Sequence, residues 1–178
     1  RAAAAGFLAL APDGLSPVGG YPGNDDDGRE LQRSLEPAEL DQDMINSARF
    51  LKAHELSSGQ LGATGFCWGG GMTNRLAAVL GSDLQAGVPF YGASVSAEDV
   101  ASIEAAIMIN YAGTDQRINS MWPDYESALQ ANNVDYTMHI YEGTLHGFHN
   151  NSTPRYNKPA ADLAWNRTVG FFREHLAG

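Results

Sequence analysis

The sequence predicts an α/β fold, a mostly parallel sheet with helices on both faces. Three observations carry that prediction. Short apolar runs alternate with amphipathic stretches along the whole 178 residues. The apolar runs stop at Gly, Pro and Asp, which end strands and open loops. Between successive runs lies a helix-length segment, as parallel crossovers require.

Taken in order, "GFLALAPD" (6–13) is an apolar run stopped by Pro12, Asp13 and Gly14, and it predicts a buried strand. Residues 14–35, rich in Gly, Pro, Ser and Asp, predict a long loop, with the Asp25, Asp26, Asp27 cluster on solvated surface. Leu40, Met44, Ile45, Ala48 and Leu51 at helical spacing predict a helix over 36–55. "QLGATGFC" (60–67) is the next strand, and "GGMTNRLAAVLG" (70–81) a helix closed by Gly81. "AGVPFYG" (86–92) reads as a strand despite Pro89, which has no N–H to give a ladder. A weak helix over 95–106 precedes the continuous apolar strand "AIMINYAGTD" (106–115). A helix follows over 119–133, starting near Pro123, because proline suits a first turn. The alternating "DYTMHIYEG" (135–143) is a last strand, and an amphipathic helix from Ala160 closes the chain.

Composition bounds the function. The chain has the length of one domain with a sizeable core, and 43% hydrophobic with 18% charged residues is ordinary for a globular protein. A net charge of −10 without clustered Lys and Arg argues against a nucleic-acid partner. No apolar run reaches the length of a membrane-spanning helix, so no membrane partner is expected. The one cysteine permits no internal disulfide, which favours the cytoplasm. It also leaves no resolving thiol for redox chemistry. "NNST" and "NRT" match the glycosylation pattern at a length where chance suffices.

In parallel sheets chemistry gathers at the carboxyl ends of strands. The predicted exits are Asp13, Cys67, Gly92, Asp115 and, one loop on, His146. Cys67, Asp115 and His146 form a nucleophile–acid–base set. "GFCWG" (65–69) fits the glycine–x–nucleophile–x–glycine elbow, with Cys where Ser is usual. Gly65 and Gly69 are expected where a Cβ would collide as strand turns into helix. That turn lifts the sulfur clear and aims the Trp68 N–H at a developing oxyanion. The start of the helix is expected to favour the Cys67 thiolate. His146 would take the proton and Asp115 would hold the imidazole tautomer.

Each residue has a plainer explanation when taken alone. A free Cys is commonly a small buried hydrophobe. An Asp after "AGT" caps turns, and a His in "LHGF" can be an ordinary loop residue. His139 sits mid-strand, and His149 rivals His146 as the base. No carboxylate or Cys completes a metal set with the two loop histidines, so no metal is expected. Trp122, Tyr125, Trp165, Phe171 and Phe172 fit core positions, while Tyr21, Tyr91, Trp68 and Phe148 lie nearer the exits as candidate pocket walls.

"GFCWGGG", "YAGTDQRIN", "AAAAGFLALAPDGL" and the long "EGTLHGFHNNSTPRYNKPAADLAWNRTVGFFREHL" together resemble the dienelactone hydrolase family of α/β-hydrolases over essentially the whole chain. The resemblance implies an α/β-hydrolase-like sheet and Cys67, Asp115 and His146 as nucleophile, acid and base. It also implies hydrolysis of an enol-lactone or related ester without a cofactor. Two departures follow from it. The family's two carboxylate-holding arginines are not at their places: the first loop reads "GLSPVGGYPGN" and Asn150 stands near the second. Arg29 and Arg155 are the nearest substitutes, which shifts the expectation from dienelactone to a broader ester or lactone. The family also begins with strands before "RAAAAG", which supply a second oxyanion donor and a glutamate beside the resting thiol. Losing one such donor costs about 100- to 1,000-fold in turnover. The expectation is a single domain, incomplete at its N-terminus, that associates with the missing segment or with a second copy through its open edge. A catalytically silent binding or assembly module that keeps the triad is the alternative function.

Overall fold

The computed structural model describes residues 1–177, which divide into two compact units, Arg1–Gly59 and the remainder from Gln60. The first unit is helical. After short 3-10 turns at Ala3–Ala5 and Ser16–Val18 come α1 (Asp25–Ser34) and α2 (Pro37–Ala53). The predicted loop over 14–35 is therefore corrected by α1. Asn24 caps it by accepting the Asp27 N–H at 2.9 Å. Asp25, Asp26 and Asp27 then fill the first turn, where negative charge opposes the positive end of the helix. In α2 the predicted stripe is right, with Met44 and Ile45 buried. Residues 7–13, expected as a strand, form no element. Leu8 and Leu10 are 44% and 43% exposed, and no neighbouring strand takes up their backbone groups among the described residues.

The second unit holds four parallel strands in the order β1 (Gly62–Phe66), β2 (Ala86–Phe90), β3 (Ala106–Ala112) and β4 (Tyr136–Tyr141). The helices between them are α3 (Trp68–Leu80), the short α4 (Ala97–Val100) and α5 (Gln116–Asn119), and α6 (Trp122–Ala131), with α7 (Lys158–His175) last. Every residue of β2 and β3 is buried, which is why both read as unbroken apolar runs. The ladder from β2 to β3 skips Val88 and Pro89, where proline has no N–H to offer.

Sheet parity assigns the faces. Gly62 pairs with Ala86. A Cβ on Gly62 would meet Phe172 and Leu176, so these residues face α7. A Cβ on the next residue of β2, Gly87, would meet Thr73, so the opposite face carries α3. Consecutive parallel strands joined by right-handed crossovers place their helices on one side. Accordingly, α6 lies beside α3, with the Tyr125 hydroxyl donating to Asn74 Oδ1 at 3.1 Å. On the other face a polar chain crosses the sheet. Arg167 of α7 donates to the Tyr141 hydroxyl at 3.4 Å, and that hydroxyl donates to the buried Asn110 Oδ1 at 2.9 Å.

Candidate active site

At the exit of β1, Cys67 adopts φ 56° and ψ −116°. A non-glycine residue there stores roughly 1–3 kcal/mol of strain, so its surroundings must hold it. The Cys67 N–H donates to Phe90 O at 3.1 Å, while its C=O accepts from Gly70 N–H at 3.0 Å and Gly71 N–H at 3.2 Å. The glycine reading is half right. A Cβ on Gly65 would lie 2.2 Å from Gly69 O, but one on Gly69 meets nothing within 4 Å. The second crowded glycine is Gly70, whose Cβ would lie 2.4 Å from Phe90 O, and Gly92 packs against its backbone from the end of β2. Elbow and neighbouring strand thus meet backbone to backbone, an arrangement that needs sequence positions far apart to be glycine together.

Asp115 leaves β3 and caps α5, its Oδ1 accepting the Ile118 N–H at 3.4 Å. His146 sits in the loop after β4, between Gly143 and Gly147, both at positive φ. The Thr114 N–H and hydroxyl both donate to Thr144 O, at 3.1 and 2.8 Å, and tie the two loops together next to the residues they carry. His146 Nδ1 lies 2.5 Å from Asp115 Oδ2, and Nε2 lies 3.1 Å from Cys67 Sγ. The three residues expected from strand ends therefore stand in one hydrogen-bonded line. Asp115 is buried, and Cys67 as a whole residue is exposed.

Electrostatics corrects one expectation. Although Cys67 caps α3, burial pushes its thiol above the usual range, and Asp115 adds to this. The guanidiniums of Arg155 and Arg117 pull the other way without overcoming burial. Neither Arg155 nor Arg117 forms an ion pair among the described residues, whereas Arg29, in the first unit, pairs with Asp26 at 2.6 Å. Arg155 lies along the His146 loop, within 3.6 Å of the Cβ position on Gly147.

The other aromatic and histidine candidates divide cleanly. Tyr21 is exposed in the first unit and donates to Asp25. His139 faces α7 on β4, where burial and then Arg167 lower its pKa. His149 packs among Phe66, Phe90 and Trp165, with ring centroids at 4.9, 5.2 and 6.1 Å. Phe148 is fully buried, while Trp68 is half exposed and opens α3 with its N–H. Thr114, Thr144 and Gly70 are not among the residues the sequence points to, and Gly92 enters only as a strand exit; the one hint of the threonines is their adjacency to Asp115 and His146. Among the described residues no group of three or more His, Cys, Asp or Glu could hold a metal ion.

Comparison with known proteins agrees with this architecture. The chain is 34% identical over 183 residues to "Protein usf" of Aquifex pyrophilus, covering 99% of this chain and 78% of that protein. It is 35% identical over 144 residues to a proposed carboxymethylenebutenolidase of Saccharolobus solfataricus, covering 78% of this chain but 54% of the relative. The chain thus spans about three quarters of the first relative and about half of the second. In structure it matches a dienelactone hydrolase from Anabaena variabilis with a TM-score of 0.66 at 18% identity, over 92% of this chain and 76% of that one. That likeness is one of fold. The family model described as "Dienelactone hydrolase family" matches residues 1–176. The chain belongs to the dienelactone hydrolase family.

Proposed function

We propose that the protein hydrolyses a carboxylic ester or lactone through Cys67. The observation that carries this is the line from Cys67 Sγ through His146 to Asp115, at 3.1 and 2.5 Å. With Nδ1–H donated to Asp115, the Nε2 lone pair faces the thiol and can take its proton. The sulfur attacks the ester carbonyl, and the Trp68 N–H at the start of α3 stabilises the oxyanion. Collapse of the intermediate breaks the ester C–O bond, and His146 returns the proton to the leaving oxygen. Water, deprotonated by His146, then attacks the acyl-cysteine, releasing the acid and restoring the thiol. In a lactone the alcohol and the acid stay on one molecule.

Membership of the family and the butenolide named for the Saccharolobus relative support a lactone or ester as substrate. The free guanidiniums of Arg155 and Arg117 near the sulfur favour one that carries negative charge. Treating the protein with p-nitrophenyl acetate and mapping the adduct by mass spectrometry tests this. An acetyl group on Cys67 that is lost with time, together with loss of hydrolysis in Cys67→Ala, is the expected result. Undiminished hydrolysis by Cys67→Ala would overturn the assignment. A wild-type chain that takes no acetyl group would favour the silent module instead.

A further inference from the structure

Tyr91, just beyond β2, has a backbone that departs from the strand before it. It follows Phe90 at the end of β2 and has φ 35°, a left-handed conformation rare for an aromatic residue. Its N–H still donates to Asn110 O at 2.7 Å, the bond that closes the ladder to β3 at the Phe90–Asn110 pair. Strict alternation would put its ring on the α3 face, opposite to Phe90. Phe66 and Phe90 are paired in register and face α7, and Phe66 meets His149 there. Yet the Tyr91 ring lies 6.2 Å from Phe66, 6.1 Å from Phe90 and 5.5 Å from Phe148. The left-handed turn has carried the ring away from its own face and back over the end of the sheet.

There it meets the base. The Tyr91 and His146 rings stand 4.9 Å apart, at 57°. Tyr91 is 1% exposed, and its hydroxyl lies against the backbone N–H of His149. Phe148 is held between Tyr91 and Tyr141, whose ring is 4.9 Å from it on the other side. The His146 loop is therefore braced near residues 146, 148 and 149, while Asp115 alone would leave the imidazole free to swing about its Nδ1 hydrogen bond. Strain kept at a functional site is retained when the surroundings over-determine it. The close approach of Gly92 to Gly70 fixes the chain just beyond Tyr91.

We infer that Tyr91 is a positioning residue whose ring fixes the His146 imidazole in line with Cys67. This rests on the hydrolase reading above, but its test does not need turnover. Cys67 is alkylated with iodoacetamide as a function of pH in wild type, His146→Ala, Tyr91→Phe and Tyr91→Asn. Asparagine tolerates the left-handed turn and removes the ring, so folding is kept within reach. Besides His146 and Tyr91 themselves, the charged groups facing the sulfur, Asp115, Arg117 and Arg155, stay the same in every variant.

The Tyr91→Asn profile is expected to move toward that of His146→Ala, while Tyr91→Phe, which keeps the ring, stays close to wild type. In acylation by p-nitrophenyl acetate, Tyr91→Asn should lose about 100-fold in rate with little change in KM, as a small misplacement of a catalytic group does. A folded Tyr91→Asn with the wild-type alkylation profile would overturn the inference. So would Tyr91→Phe and Tyr91→Asn losing thermal stability together with unmoved profiles, since that is a packing role alone. If wild type is not acylated at all, the hydrolase reading fails while the alkylation profiles still judge Tyr91.

Discussion

Two apolar runs of this chain look alike on paper and end differently. Residues 7–10, "FLAL", and residues 106–112, "AIMINYA", both precede a turn with Asp. The second is β3, paired on both sides and buried at every position. The first forms no strand, and its leucines are more than 40% exposed. Apolar content is common to both; what differs is that, among the described residues, only the second has strands paired beside it. A strand's N–H and C=O groups find their hydrogen bonds in a neighbouring strand, so a run without such a strand gains no ladder.

Several substitutions press on that contrast. The largest effect belongs to the contact that joins β2 to the elbow. Gly70→Ala puts a methyl 2.4 Å from Phe90 O, where backbone must move. It should cost about 3 kcal/mol or more and remove Cys67 reactivity. Gly69→Ala, one residue earlier in open space, should leave stability level or raise it by up to about 1 kcal/mol, since alanine favours the helix. Urea denaturation of both variants measures the difference, and equal losses would break the account of the elbow.

Next comes the test of the two runs themselves. Ile109 in β3 is fully buried, and Ile109→Ala should cost about 2–5 kcal/mol. Leu10→Ala should stay within about 0.5 kcal/mol, as surface changes usually do. A loss at Leu10 comparable to that at Ile109 would show that the first run is packed in solution.

The smallest effect is electrostatic. Because burial raises the Cys67 thiol and Arg155 lowers it, deprotonation lies above the usual thiol range in wild type and higher still in Arg155→Ala. The rate of alkylation tracks the thiolate, so its rise with pH should move to higher pH when Arg155 is removed. A rise at lower pH would contradict the placement of that charge.

Much of the second unit was legible in the residues. Its strands are short apolar runs closed by turn residues, and Cys67, Asp115 and His146 stand at or just beyond their ends because a parallel sheet places such ends together. α1 was hidden because Asp-rich, Gly-containing sequence resembles a loop until Asn24 is seen to cap it. Gly70 is not distinguishable from Gly69 in the sequence because glycine spacing alone does not say which Cβ would face a neighbouring strand. Tyr91 was noticed only as a pocket wall, since nothing in a tyrosine announces a left-handed φ.

What the sequence determined by itself was local: the alternation of apolar runs with helix-length segments, the capping and stopping residues, and the elbow that bends the chain at a cysteine. These follow from side-chain chemistry acting within a few residues. Tertiary structure decided the rest. It chose which apolar run became a strand, which glycine faces a neighbouring backbone, and which charges surround the thiol. It also turned the Tyr91 ring onto His146. Each of those outcomes depends on groups distant in sequence coming within a few ångströms, where backbone pairing, steric overlap and desolvation outweigh local preference.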